Sequence, residues 1–145
     1  MKRLLASLAL LSLSLTAQAN VLTFDDVVGG STQNSYGALG TYQGFNFGCI
    51  GGCAVNRLDW VDTVGSGWNF GAVSGDFTLL NNYGGIGVIT AADGADFTFD
   101  GLYAETWLNS TARTAYIRGF NNNVEVWTST ITLGSQFAYF AGVAG

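Results

Sequence analysis

The residues able to do chemistry are few in this chain, and the missing types say as much as those present. There is no His, which removes the usual base from a Ser or Cys nucleophile and the commonest transition-metal ligand. The one lysine, Lys2, stands at the extreme N-terminus, so the body has none for a Schiff base or a phosphate loop. What remains are carboxylates, two cysteines and many aromatic rings. Asp25 and Asp26 are adjacent at the end of an apolar run, and such a pair can offer oxygen ligands to Ca²⁺ with loop carbonyls completing the shell. The competing reading is an acidic turn in water. The other acids, Asp59, Asp62, Asp76, Asp93, Asp96, Asp100, Glu105 and Glu125, mostly sit in turn-like surroundings, where carboxylates bond to backbone N–H groups. A carboxylate-only reaction such as glycan hydrolysis needs two positioned acids. That enzyme reading is the minority one, and the expectation is a non-catalytic protein.

Cys49 and Cys53 enclose a loop with Gly51-Gly52. An even cysteine count in an exported chain suggests a disulfide. A metal reading is weaker, because C-x3-C without His is half a zinc site, and the C-x-x-C of a thioredoxin-like redox site is absent. Among the rings, Tyr103, Trp107, Tyr116 and Trp127 are candidates for stacking on sugars if their strands face water. The commoner fate of large rings is the core.

These side chains must be positioned by strands. The apolar share is 48%, the charged share 10%, and 21 glycines accompany a 14% aromatic content. Few Lys or Glu and many aromatics suit strands and turns, and the chain is too apolar for disorder. Residues 1–19 read as an export signal: Lys2-Arg3, an apolar run over residues 4–15, and Ala17-Gln18-Ala19 before a cleavage expected between Ala19 and Asn20. That run is too short for a membrane span, and the mature chain is expected to have none. Net charge is −5, and loss of Lys2 and Arg3 with the leader leaves −7. Nucleic acid and anionic membrane are therefore excluded as partners.

Residues 20–145 read as a single domain. Strands are expected at residues 21–24, 42–47, 77–80, 86–90 and 137–140, with loops at 27–39 and 48–52 and a less regular stretch over 54–75. The centre is a meander over residues 95–132. Phe97 and Phe99 alternate with polar neighbours, the period of a half-buried strand. Two β-rich runs, 115–120 and 124–130, flank Asn121-Asn122-Asn123. A two-residue turn at Asn121-Asn122 would put Arg118 opposite Glu125, Tyr116 opposite Trp127, Ile117 opposite Val126 and Gly119 opposite Val124. Short strands at this spacing predict an all-β fold, an antiparallel β-sandwich or jelly roll.

The segments L-T-F-D-D, Y-Q-G-F-N-F and G-F-N-N-N-V-E-V-W resemble PEP-CTERM exported bacterial proteins, over most of residues 21–145. The resemblance implies a β-sandwich body and a secreted or envelope location. It also implies association with exopolysaccharide, biofilm or other extracellular matrix components. Such proteins end in a Pro-Glu-Pro motif, an apolar helix and a basic tail. This chain has no Pro, and a sandwich lacking its last strand or strands is expected. The alternatives are a carbohydrate-binding module with an aromatic platform and a calcium site, and a small carboxylate-dependent glycan hydrolase.

Overall fold

The computed structural model describes residues 20–27, 35–64, 71–107 and 110–143, so the leader lies outside the described residues. Ten strands follow in order: β1 (Tyr36–Ala38), β2 (Gly40–Tyr42), β3 (Phe45–Ile50), β4 (Asp59–Asp62), β5 (Phe77–Leu80), β6 (Ile86–Ala91), β7 (Gly101–Ala104), β8 (Arg113–Asn121), β9 (Val124–Leu133) and β10 (Ala138–Ala141). Every pairing is antiparallel. The all-β, sandwich-like architecture expected from composition is therefore present.

Two three-stranded sheets, β1-β4-β5 and β2-β3-β6, form the packed part. Strand β4 is central in its sheet and largely buried on both faces. Phe47 and Cys49 from β3 meet Leu39 and Leu58 in a buried cluster, with Phe24, Tyr42, Trp60 and Leu79 packed around it. Val61 and Phe77 are buried as well. Trp60 meets Phe77 edge-on at 5.9 Å. The Cys49–Cys53 disulfide closes the end of β3, and Gly51 and Gly52, at φ 70° and 102°, take the left-handed turn that closure requires.

The remaining strands form two ribbons, β7-β10 and β8-β9. The stretch over residues 95–100 joins no ladder. It bridges the two parts through its rings: Phe97 meets Phe45 edge-on at 5.1 Å, and Phe99 stacks on Trp127 at 6.0 Å.

Several expectations require correction. The hairpin turn is Asn122-Asn123, one residue later than expected, and both residues have positive φ, 48° and 65°. Asn121 therefore pairs Val124 and Phe120 pairs Glu125; a bulge then shifts the register, so that Gly119 pairs Trp127, Arg118 pairs Thr128 and Tyr116 pairs Thr130. An asparagine triplet offers two turn positions of equal chemistry, and packing decides between them. Trp127 lies directly over Gly119, where any Cβ would collide with the indole. The same device holds β1 to β4, where Gly37 faces Trp60. A ring laid across a cross-strand glycine covers backbone that no side chain shields. This arrangement accounts for part of the glycine-plus-aromatic composition.

Residues 42–47 are not one strand. Gln43 and Gly44, at φ 45° and 84°, turn the chain between β2 and β3. Residues 21–24 form no strand, though Phe24 packs on Tyr42 and Phe47. The expected loops and irregular stretch hold β1, the second half of β3 and all of β4.

Candidate functional site

The strongest candidate lies where the β5–β6 turn meets the turn after β7. Thr106 is buried there. Its N–H donates to the Gly134 carbonyl at 2.8 Å, and its hydroxyl lies 3.0 Å from that carbonyl and 3.1 Å from that of Ser110. Ser110 in turn donates from its N–H and its hydroxyl to the Trp107 carbonyl. The backbone of Trp107 is thus held on both sides while its side chain stays 41% exposed. With Leu80, Asn81 and Asn82 it lines a hollow of about 270 Å³.

Beneath the hollow is a polar network in the packed part. Asp59, fully buried on β4, lies 2.7 Å from Arg57 Nε. Asn82 Nδ2 donates to the other Asp59 oxygen at 3.2 Å. Arg57 donates to the Tyr83 hydroxyl at 2.8 Å, with its guanidinium over that ring. Desolvation works against the charge on Arg57, but the neighbouring Asp59 carboxylate outweighs it and holds the guanidinium above its ordinary pKa. Because a carboxylate only accepts, the Asn82 amide must present its NH₂ inward and keep its oxygen for another donor. Asn81 is fixed likewise, its Nδ2 donating to the Gly85 carbonyl at 3.2 Å. Sequence reasoning singled out Trp107 but missed Asn81, Asn82 and Arg57. Asn81-Asn82 reads as ordinary turn chemistry, and only the fold brings it to the tryptophan.

The four rings expected to act together all border one broad concavity, but Tyr116 and Trp127 lie on opposite faces of their ribbon. Tyr116 points outward from β8, 63% exposed, with Arg118 over its ring. Trp127 is on the opposite, inward face of the β8-β9 ribbon, half-buried. The expected Tyr116–Trp127 pair is therefore absent, a direct result of the shifted register. Tyr103 on β7 instead pairs with Tyr139 on β10, their rings 5.2 Å apart and both about half exposed, 54% and 53%. The Tyr139 hydroxyl donates to the Asp100 carbonyl at 2.8 Å. Tyr139 carried no distinguishing signal in the sequence.

Asp25 and Asp26 turn to different partners. Asp25 accepts from the Ser74 hydroxyl at 3.2 Å, and Asp26 accepts from the Tyr42 hydroxyl. Burial, and then this bond to a carboxylate, raises the Tyr42 pKa. The loop expected to supply carbonyl ligands includes residues 28–34, which lie outside the described residues. Among the described residues no group of three or more His, Cys, Asp or Glu gathers that could hold a metal ion. Other carboxylates are engaged too: Asp62 accepts from Val64 N–H and Asp93 from Ala95 N–H, both locally, and Asp96 accepts from the distant Asn121 amide. Glu105 has Oε1 buried without a hydrogen-bond partner, and this desolvation raises its pKa. Among the described residues no helix is long and apolar enough to cross a membrane.

No family model matches this chain, and neither a curated protein nor a solved structure matches it.

Proposed function

We propose that the mature chain is an exported, non-catalytic β-sandwich of the bacterial envelope or extracellular matrix, and that its partner is polysaccharide. The observation that carries the polysaccharide part is the Tyr103–Tyr139 pair. Two adjacent rings half-exposed on one ribbon, one of them tethered through its hydroxyl, are a stacking surface with little side-chain entropy left to lose. The export part rests on the leader and on the resemblance to PEP-CTERM proteins. The non-catalytic part is supported by the acids: Asp25, Asp26, Asp59, Asp62, Asp93 and Asp96 all hold other groups of the chain in place.

Fractionation of a bacterial host expressing the full chain tests export. Protein beginning at Asn20 in the envelope or medium is expected, and intact chain retained in the cytoplasm overturns it. Affinity electrophoresis of the mature protein through gels containing bacterial exopolysaccharide tests the partner. Retardation that falls in a Tyr103→Ala, Tyr139→Ala double variant supports the reading. Equal mobility with and without polysaccharide overturns it.

A further inference from the structure

We infer that the hollow under Trp107 is a subsite for one neutral hexose unit of a polysaccharide; the inference rests on the polysaccharide reading above. Three features carry it. The first is size. A hollow of about 270 Å³ falls just below the roughly 300 Å³ at which pockets for drug-sized ligands begin, so it suits a single sugar ring. The second is a half-exposed indole whose backbone is locked through Thr106 and Ser110, which gives the apolar C–H face of a pyranose a fixed ring to lie on. The third is the polarity of the rim. One N–H of each carboxamide is held by the chain, that of Asn81 by the Gly85 carbonyl and that of Asn82 by Asp59. The Asn81 oxygen lies 3.6 Å from the Cys49 sulfur, so the rim offers the second N–H of each amide and the Asn82 oxygen, a mixed set that suits hydroxyls, which both donate and accept.

The same network selects against acidic sugars. Among the described residues no Lys or Arg lines the hollow. The cation beneath it, Arg57, is committed to Asp59 and Tyr83. A uronate carboxylate would meet no positive partner among the described residues of the hollow, on a mature chain of charge −7. In this reading the Arg57–Asp59 pair, its carboxylate buried and its guanidinium partly exposed, is a positioning device. It fixes which end of the Asn82 amide faces inward.

The test uses the mature chain with a soluble neutral β-glucan, a neutral galactomannan and, as the acidic probe, polygalacturonate. Binding is followed by titration calorimetry and by the shift of tryptophan emission. Binding to a neutral polymer is expected, with Trp107→Ala weakening it about tenfold or more, Trp107→Phe retaining most of it, and Asn82→Ala weakening it severalfold. Trp107→Phe should also remove the emission shift, a readout that stands even if Trp107→Ala fails to fold. Neutral binding indifferent to Trp107 and Asn82 overturns the subsite but leaves the polysaccharide reading intact. Preference for polygalacturonate does the same. No binding of the wild-type chain to any polymer overturns both.

Discussion

The two parts of this molecule solve the same packing problem with different completeness. In β1–β6, two sheets close on Leu39, Phe47, Cys49, Leu58, Val61 and Phe77, and even two aspartates are fully buried. In β7–β10, two ribbons keep one face toward water, and Tyr103, Tyr116, Phe120, Val124, Val126 and Tyr139 all stay largely exposed. The first part draws on burial, a cross-link and an ion pair. The second depends on ladder hydrogen bonds and on a few ring contacts. The difference separates a scaffold from a surface. Both aromatic candidates, Trp107 and the tyrosine pair, belong to the later part, and the network that orients Asn82 belongs to the earlier. If this contrast is sound, backbone amides of β3, β4 and β5 should exchange with solvent far more slowly than those of β7 and β10. Equal protection across the ten strands would remove the distinction.

The largest effect should come from breaking the polar centre of the closed part. Asp59→Ala removes the buried acceptor of both Arg57 and Asn82, and the guanidinium loses its charged partner. Loss of one member of a buried pair costs about 3–5 kcal/mol. Arg57 is partly exposed, so roughly 3 kcal/mol in urea unfolding is expected. A loss below about 1 kcal/mol would mean the network contributes little to the scaffold. Next in size is the cross-link. Replacing both Cys49 and Cys53 by Ala opens a loop closed over a sequence separation of 4, which the chain-entropy model puts at about 2 kcal/mol. The double variant should still fold, because Phe47, Leu58 and Phe77 remain to hold the sheets together.

How far the sequence could be read follows the same division. The β-class, the β5 bounds and the existence of a late hairpin were legible, because alternation and turn residues are local signals. The disulfide was legible from the cysteine spacing together with the expectation of export. Strands β1 and β4 were not. Strand β4, Asp59–Asp62, carries a carboxylate at each end and looks like a polar turn, yet it is the most buried strand of all. Its acids are tolerated because both find partners: Asp59 has Arg57, two residues back, and Asn82 from the β5–β6 turn, while Asp62 accepts from the Val64 N–H two residues on. Of these partners only Asn82 is remote in sequence, and the local ones fit a polar turn as readily as a buried strand. The hairpin register failed for a related reason. The expected pairing matched Arg118 with Glu125 by charge, whereas the fold chose to lay Trp127 over Gly119, a contact of shape that a charge-matching argument does not see.

That contact gives a third, smaller prediction on the open side. Gly119→Ala places a methyl where the indole of Trp127 already lies. The ring must swing away from Phe99 as well, and overpacking of this kind costs about 1–2 kcal/mol. The loss should be confined to the ribbon: hydrogen exchange in β8 and β9 should accelerate while β3 and β4 are unchanged. Acceleration in both parts would mean they unfold as one unit.

A fourth prediction uses pH. Burial raises the Glu105 pKa above its unfolded value of about 4.3. A raised carboxylate pKa means that the folded state holds its proton more tightly than the unfolded chain does. The associated stability is therefore complete below the unfolded value and is lost as pH rises through the folded one. Glu105→Gln removes that dependence. It should match the wild type near pH 4 and exceed it at pH 7, by a margin kept modest by partial exposure. A variant less stable than wild type at pH 7 would mean that the carboxylate has a favourable partner.

The smallest effect concerns Arg118 and Glu125. They are not cross-strand neighbours, since Arg118 faces Thr128 and Glu125 faces Phe120. The bulge beside Gly119 nevertheless brings their side chains within 3.7 Å on the exposed face. At that separation, with both groups largely in water and Arg118 also resting on Tyr116, the pair should be worth about 0.3 kcal/mol. A double-mutant cycle with Arg118→Ala and Glu125→Ala, run at low and at high salt, measures it. The coupling should be small and should vanish in high salt, because exposed charges are screened over about 10 Å at ordinary ionic strength. A salt-resistant coupling above about 1 kcal/mol would show that this face is covered in solution. The outward side of the β8-β9 ribbon would then belong with the closed part of the molecule, and the contrast between scaffold and surface would have to be redrawn along a different line.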